Sequence, residues 1–271
     1  MSSFDYTGQH VFVAGGTSGI NLGIAQSFAR AGARVTVLSR SAEKVQAAVA
    51  SLQALGAEAA GHAADVRDYA AVEAALKAAA AQFGKINVLV SGAAGNFPAP
   101  ALGLSSNGFR AVLEIDLLGT FHVLRAAFAH LKKPGAAVIN ISAPQAMQPI
   151  EFQMHVCAAK AGVDMCTRVG AIEWGAAGVR VNSVIPGPIA DTEGMRRLAP
   201  TPETEKIVLD SVPLGHFGTV DDIADCCLWL ASPMARYVTG AVIPVDGGWS
   251  LGGAGAAAAG MKKVLMGGGK P

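Results

Sequence analysis

Short apolar runs alternate along the chain with Ala-rich segments in which apolar residues return every three or four positions. The runs are "HVFVAG" (10–15), "RVTVLS" (34–39), "AEAAGHAAD" (57–65), "INVLVSG" (86–92), "AAVINIS" (136–142), "VRVNSVIPG" (179–187) and "AVIPVDGG" (241–248). Most are rich in β-branched residues and end in Gly, Pro, Ser or Asp, as strands do. The segments 20–31, 42–54, 70–83, 109–131 and 155–175 carry helical periodicity. Nearly continuous apolar strands belong to a sheet buried on both faces. The pattern therefore predicts an α/β fold, a doubly wound, seven-stranded parallel sheet with helices on both faces. All seven units fit one domain over residues 1–250. The Gly/Ala-rich remainder, 251–271, is expected to be loosely ordered or docked on a partner subunit.

Composition narrows the function classes. With 51% hydrophobic and 15% charged residues the chain can build a large core and lacks the signature of disorder. A net charge of +1 offers neither a nucleic-acid stripe nor a polybasic membrane segment. No apolar run reaches membrane-spanning length. Cys157, Cys166, Cys226 and Cys227 have neither metal-ligand nor CxxC spacing, so reduced thiols and no metal are expected. The start "MSSFDYTGQH" lacks the features of a signal peptide, and "GGGKP" is not a peroxisomal or ER address. A cytoplasmic protein is the expectation.

The first run leads into "AGGTSGINLGIAQSFARAG". A glycine-rich turn between strand and helix lets backbone N–H groups and the helix dipole approach a pyrophosphate, the arrangement of a Rossmann fold. Gly15, Thr17, Ser18 and Ile20 are the candidates here. Asn21 stands where the last glycine of such a turn is usual, which predicts a local adjustment of the first helical turn. At the end of the second strand, Ser39 and Arg40 offer a hydroxyl and a guanidinium where an acid would select NADH. They favour the 2′-phosphate of NADPH, although Arg40 also reads as a solvated surface residue. Asp65, followed by Val66, is placed to accept from the adenine amino group or to cap the next helix.

Together, "GGTSGI", "DV" after the third strand, "SGAAGNF" after the fourth, Lys160 on a helix, "PGPI" (186–189) and "VDGG" (245–248) resemble the short-chain dehydrogenase/reductase superfamily. The resemblance covers about residues 8–250. It implies a catalytic Ser, Tyr and Lys assisted by an Asn, of which this chain keeps only Lys160. Val156 holds the tyrosine position, Ala143 the serine position with Ser142 beside it, and Asp116 the asparagine position. Tyr6, Tyr69 and Tyr237, the only tyrosines, lie in segments that do not line such a site.

The departures form a pattern of their own. "AAGNF" (93–97), Asp116, His155 and "PGPIADTEGMRRL" (186–198) are similar to 2,4-dienoyl-CoA reductases, and most to the peroxisomal type, which also lacks the tyrosine. The resemblance implies NADP(H) as cofactor and an unsaturated acyl-CoA as substrate. The reduction sends hydride to the far end of the diene and a proton to carbon, so no ketone oxygen must become an alcohol. Asp116 and Lys160 are the expected catalytic pair: Lys160 fixes the ribose, and Asp116 orients a proton-bearing water or serves as a structural partner of the lysine. Gln145 occupies the position of an upstream tyrosine that binds the thioester oxygen in the mitochondrial type. It and Ser142 are possible donors, whereas His155 reads as a substrate-lining or supporting residue. Phe97 and Ser105, Ser106 and Asn107 would line the acyl and pantetheine path, and Arg67, Arg196 and Arg197 would meet the phosphates. Pro186, Gly187 and Ile189 fit the nicotinamide side. "TEGMRRLAPTPETEK" reads as a lid. A homodimer or homotetramer follows from long apolar helices around 109–131 and 155–175 that need a cover. Two other readings stay open: a different unsaturated acyl or polyketide substrate, and a nucleotide-binding protein without catalysis.

Overall fold

Alternation along each strand decides which core its side chains join. On β1 (His10–Ala14), Val11 and Val13 enter one apolar cluster and Phe12 and Ala14 the other, on the opposite face of the sheet. The computed structural model describes residues 4–266. In it, β1 is followed by α1 (Gly19–Arg30), β2 (Arg34–Ser39), α2 (Ala42–Gln53), β3 (Ala59–Ala63), α3 (Tyr69–Phe83) and β4 (Ile86–Ser91). The second half adds α4 (Ser106–Val112), α5 (Gly119–Ala127), β5 (Ala137–Ile141), α6 (Met154–Trp174) and β6 (Arg180–Pro186). It ends with α7 (Glu193–Leu198), α8 (Pro202–Asp210), α9 (Val220–Ala231), β7 (Val242–Val245) and α10 (Gly253–Met266). The sheet order is β3-β2-β1-β4-β5-β6-β7 and every pairing is parallel. The order reverses between β1 and β4, and a ligand crevice is expected beyond the carboxyl ends of the strands at such a point.

The expected helix at 109–131 is not continuous. Between α4 and α5, residues Leu113–Leu118 form a π-helical turn, closed by the Gly119 N–H donating to the Glu114 carbonyl five residues back. π turns of this kind are frequent at functional sites. Asp116 sits within it, and the Thr120 hydroxyl donates to the Asp116 carbonyl at 2.6 Å. Opposite, Gly162 of α6 makes room for Leu117, whose side chain would lie 2.8 Å from a Cβ there.

The Gly/Ala-rich tail departs from expectation too. Its residues up to Met266 form α10, whereas 267–271 lie outside the described residues. Ala254 and Ala257 pack with Val208, Val212, Met195 and Trp249. A Cβ at Gly253 would meet the Ser211 carbonyl oxygen at 2.0 Å, and one at Gly260 would meet Ile207 at 2.8 Å. The small residues that suggested a loose tail are what permit close packing on α8.

Candidate active site

The turn after β1 is built for an anion. Gly15 has φ +79°, and a Cβ on it would lie 2.7 Å from the Ala93 nitrogen, so the turn and the chain after β4 approach as only glycine allows. Ser18 precedes α1 in extended conformation and its hydroxyl does not cap the helix. That hydroxyl and the first N–H groups of α1 remain for a pyrophosphate, beside Thr17 and Ile20. The first residue of α1, Gly19, has φ +53°, a local departure two positions before Asn21. The Asn21 amide donates to the Gly92 carbonyl at 2.7 Å, and room for it is made across the crevice, where Gly92 has no side chain.

At the adenine end, Ser39 closes β2 and Arg40 is exposed, with no hydrogen bond among the described residues. Asp65 accepts from the Arg67 backbone N–H and from its guanidinium, the closest approach being 2.6 Å. These bonds hold the Asp65 carboxyl below the ordinary carboxylate range, with the Arg40 charge adding to the effect. Arg67 is thus committed to Asp65 rather than free for a distant phosphate. The Val66 carbonyl is fixed by the His122 ring at 2.8 Å. On the far side, the Gly187 N–H donates to the Val245 carbonyl and Ile189 is buried, so Pro186, Gly187 and Ile189 form a rigid wall.

The catalytic candidates meet in the interior. Lys160 Nζ stands 3.4 Å from Asp116 Oδ2 and donates to the Ile141 carbonyl at 3.0 Å. Asp116 Oδ1 accepts from the Gly95 N–H at 2.7 Å. Asp116 is 1% exposed and Lys160 5%. Such a pair survives burial because hydrogen bonds satisfy the remaining lone pairs and protons. One lysine proton is left for a ribose hydroxyl. Four residues before Lys160, Val156 is buried with Val112 and Ala159, and Leu113 and Leu117 flank them. Tyr6 is in the core with its hydroxyl on the Leu228 carbonyl, Tyr69 starts α3, and Tyr237 is fully exposed. No phenol takes the place of the missing one.

Above this pair lie three amides. Gln145, on the short turn after β5, donates to Gln153 Oε1 at 2.6 Å, and Asn96 reaches the same oxygen at 3.5 Å. Asn96 and Gln153 were not singled out from the sequence, although the adjacency of Asn96 to Phe97 in "AAGNF" was a usable signal. Phe97 stands edge-to-face with His155, centroids 4.6 Å apart, and abuts Gly108 of α4. This brings Phe97 close to the Ser105–Asn107 segment. The Ser105 hydroxyl, however, is occupied in capping α4, where it accepts from the Gly108 N–H. Ser142 is buried, and its hydroxyl makes no well-formed hydrogen bond among the described residues. It nonetheless lies near enough to the Asp164 carboxyl, one helical turn beyond Lys160, to affect its titration.

The segment expected to be a lid is two capped helices, α7 and α8, and Met195 and Ala199 are sunk into the cluster around Trp249. Arg196 and Arg197 are exposed and both pair with Glu193, at 3.3 and 2.9 Å. They are therefore not poised as free cations. Among the described residues no group of three His, Cys, Asp or Glu could hold a metal ion, and no helix is long and apolar enough to cross a membrane.

Comparison with known proteins accords with this geometry. Residues 14–250 match the family described as Enoyl-(Acyl carrier protein) reductase. The chain is 44% identical over 239 residues to a rat protein named peroxisomal 2,4-dienoyl-CoA reductase [(3E)-enoyl-CoA-producing], covering 88% of this chain and 82% of the relative. It is 37% identical over 241 residues to a Bacillus subtilis protein named probable 2,4-dienoyl-CoA reductase [(2E)-enoyl-CoA-producing], covering 88% and 95%. Among solved structures, a putative short-chain alcohol dehydrogenase from Sinorhizobium meliloti superposes with a TM-score of 0.86 at 30% identity, over 91% of this chain and 98% of the other. With the parallel seven-stranded sheet and the retained lysine, these matches show that the chain belongs to the short-chain dehydrogenase/reductase superfamily and is related there to the 2,4-dienoyl-CoA reductases of the peroxisomal type.

Proposed function

We propose that this protein is an NADPH-dependent reductase of 2,4-dienoyl-CoA thioesters. The observation that carries the reading is the buried Asp116–Lys160 pair beside an apolar Val156. A site with a cation and a carboxylate but no phenol suits a reaction whose proton ends on carbon. The names of the relatives support the substrate class.

The nicotinamide, when bound, supplies the hydride that adds to the far end of the diene. Ser18, Thr17, Gly15 and Ile20 would cradle its pyrophosphate, Arg40 and Ser39 the 2′-phosphate, and Asp65 and Val66 the adenine. Lys160 would hold the ribose, with Pro186, Gly187 and Ile189 at the carboxamide. Asp116, fixed by the Gly95 N–H, keeps Lys160 oriented and would bind the water that delivers the proton. Gln145 and Asn96 would donate to the thioester oxygen as negative charge develops on it. Phe97 and the segment Ser105, Ser106 and Asn107 would line the acyl path. The α7–α8 segment would border the substrate.

Apolar side chains on the outer faces of the π turn, α5 and α6 support a homodimer or homotetramer. Leu118, Phe121, Met165, Val169 and Ile172 are all exposed there. Four free cysteines fit a cytoplasmic enzyme. Burial pushes the Cys226 thiol up to about 11, so this thiol stays protonated and unreactive.

The test mixes the purified protein with NADPH and a short 2,4-dienoyl-CoA, following cofactor oxidation and diene absorbance together. Loss of both signals is expected, with chromatography locating the remaining double bond. Turnover restricted to an acyl-carrier thioester or a polyketide would favour the alternative substrate reading. Cofactor binding without turnover on any enoyl thioester would leave a non-catalytic role.

A further inference from the structure

We infer that Gln153 is a positioning residue that holds the amides of Gln145 and Asn96 as N–H donors to the thioester oxygen. The inference deepens the dienoyl-CoA reading and rests on it. Gln153 immediately precedes α6 and is only 7% exposed. It stands, with non-helical backbone, at the head of the helix that carries Val156 and Lys160. A polar side chain at that position is free to cap its own helix, yet Gln153 makes no cap bond. Its amide oxygen instead accepts from Gln145 at 2.6 Å and lies 3.5 Å from the Asn96 amide nitrogen.

The hydrogen-bond inventory then fixes what the cluster offers. An amide oxygen has two acceptor sites, and those of Gln153 face Gln145 and Asn96. Each of those NH₂ groups spends one proton on Gln153 and keeps a second. The group therefore keeps two N–H donors to offer, which suits an oxygen gaining negative charge. Two further buried atoms have no partner among the described residues, Gln145 Oε1 and His155 Nε2. The His155 Nδ1 accepts from the Val156 N–H, which leaves the ring proton on Nε2.

The backbone around Gln153 is held in a costly form. Phe152, the residue before it, has φ +65°, a region unfavourable for an aromatic side chain. Its carbonyl accepts from the Ala99 N–H at 2.8 Å and ties the loop of Asn96 to the loop of Gln153. On the other side of Asn96, the Gly95 N–H is anchored on Asp116. The amides are thereby connected to the catalytic pair through one residue.

The experiment compares wild type with Gln153→Leu, Gln145→Leu and the double variant. One readout is steady-state turnover of a short 2,4-dienoyl-CoA. The other is the red shift of that thioester's absorbance when bound with oxidised cofactor, where no turnover occurs. Each single variant should lose the red shift and about ten- to a hundred-fold in kcat, with a smaller change in KM. The double variant should be little worse than Gln153→Leu, since both act on one arrangement. Retained red shift and kcat in Gln153→Leu, or strictly multiplicative losses in the double variant, would overturn the inference. If Gln153→Leu fails to bind NADPH and is misfolded, Gln145→Leu decides by the same two readouts, a retained shift overturning the inference. A wild-type protein that leaves dienoyl-CoA unreduced would instead remove the functional reading itself.

Discussion

Lys160 and Asp116 face each other at 3.4 Å in the interior, and the carboxylate is clamped from behind by the Gly95 N–H. Removing one member of such a pair leaves the other charged and unmatched. Asp116→Ala should therefore cost about 3–5 kcal/mol of stability, read by denaturant unfolding. Asp116→Asn keeps an acceptor for Gly95 but not the charge facing Lys160, so it should be destabilised less than Asp116→Ala, with kcat reduced at least about ten-fold if the carboxylate handles the proton. Full activity in Asp116→Asn would reduce the residue to a structural role. Lys160→Ala should weaken NADPH binding and abolish turnover together.

The buried carboxyl of Asp164 gives stability a distinctive pH dependence. Burial raises its pKa above the ordinary 3.8, opposed by the Ser142 and Ser183 hydroxyls and by the charges of Arg168 and Lys160. Between 3.8 and the raised value, the folded chain keeps a proton that the unfolded chain has released. The contribution of this group is full below the ordinary value and is lost as pH rises through the raised one. Asp164→Asn is neutral throughout. Wild type should lose stability relative to the variant as pH is raised across that window, and parallel unfolding curves at all pH values would contradict the assignment.

The proposed preference for NADPH rests on Arg40. A charge-assisted bond to a 2′-phosphate is about twice as strong as a neutral one. Arg40→Ala should lower kcat/KM for NADPH by about ten-fold or more while leaving NADH nearly unaffected. An unchanged ratio of the two would show the guanidinium to be a solvated surface group.

Asn21 and Gly92 share one space. A Cβ at residue 92 would lie 2.2 Å from Asn21 Oδ1, and the Asn21 amide is already bonded to the Gly92 carbonyl. Gly92→Ala should displace that amide and destabilise the chain by about 1–3 kcal/mol. Adding Asn21→Gly should relieve the clash, so the double variant should melt above the Gly92→Ala single variant. Additive losses would mean that the two positions are independent.

Much of this was legible in the sequence, for reasons that differ by element. The strands announced themselves because a sheet buried on both faces demands unbroken apolar runs. Lys160 and Asp116 could be placed because a known arrangement of motifs surrounds them. Where close packing decides the outcome, sequence reasoning fell short. Gly and Ala around residues 253–260 read as looseness, yet they let α10 lie against α8. Arg197 read as a phosphate ligand because its i,i+4 pairing with Glu193 requires knowing that residues 193–198 are helical. Gln153 and Asp164 carried no signal in the sequence, since burial of a polar side chain leaves no mark in periodicity.

The π turn at Leu113–Leu118 places Asp116 by residue count as well as by residue identity. A π turn absorbs one extra residue while the helices on either side keep their phase. Deleting a single residue from this stretch would let α4 and α5 join as one regular helix with both packing faces intact. The carboxylate would then turn by about 100° relative to one flank and leave Lys160 without its partner. Chain length at one point of one helix thus governs whether this fold carries a paired lysine, independently of any change in side-chain chemistry.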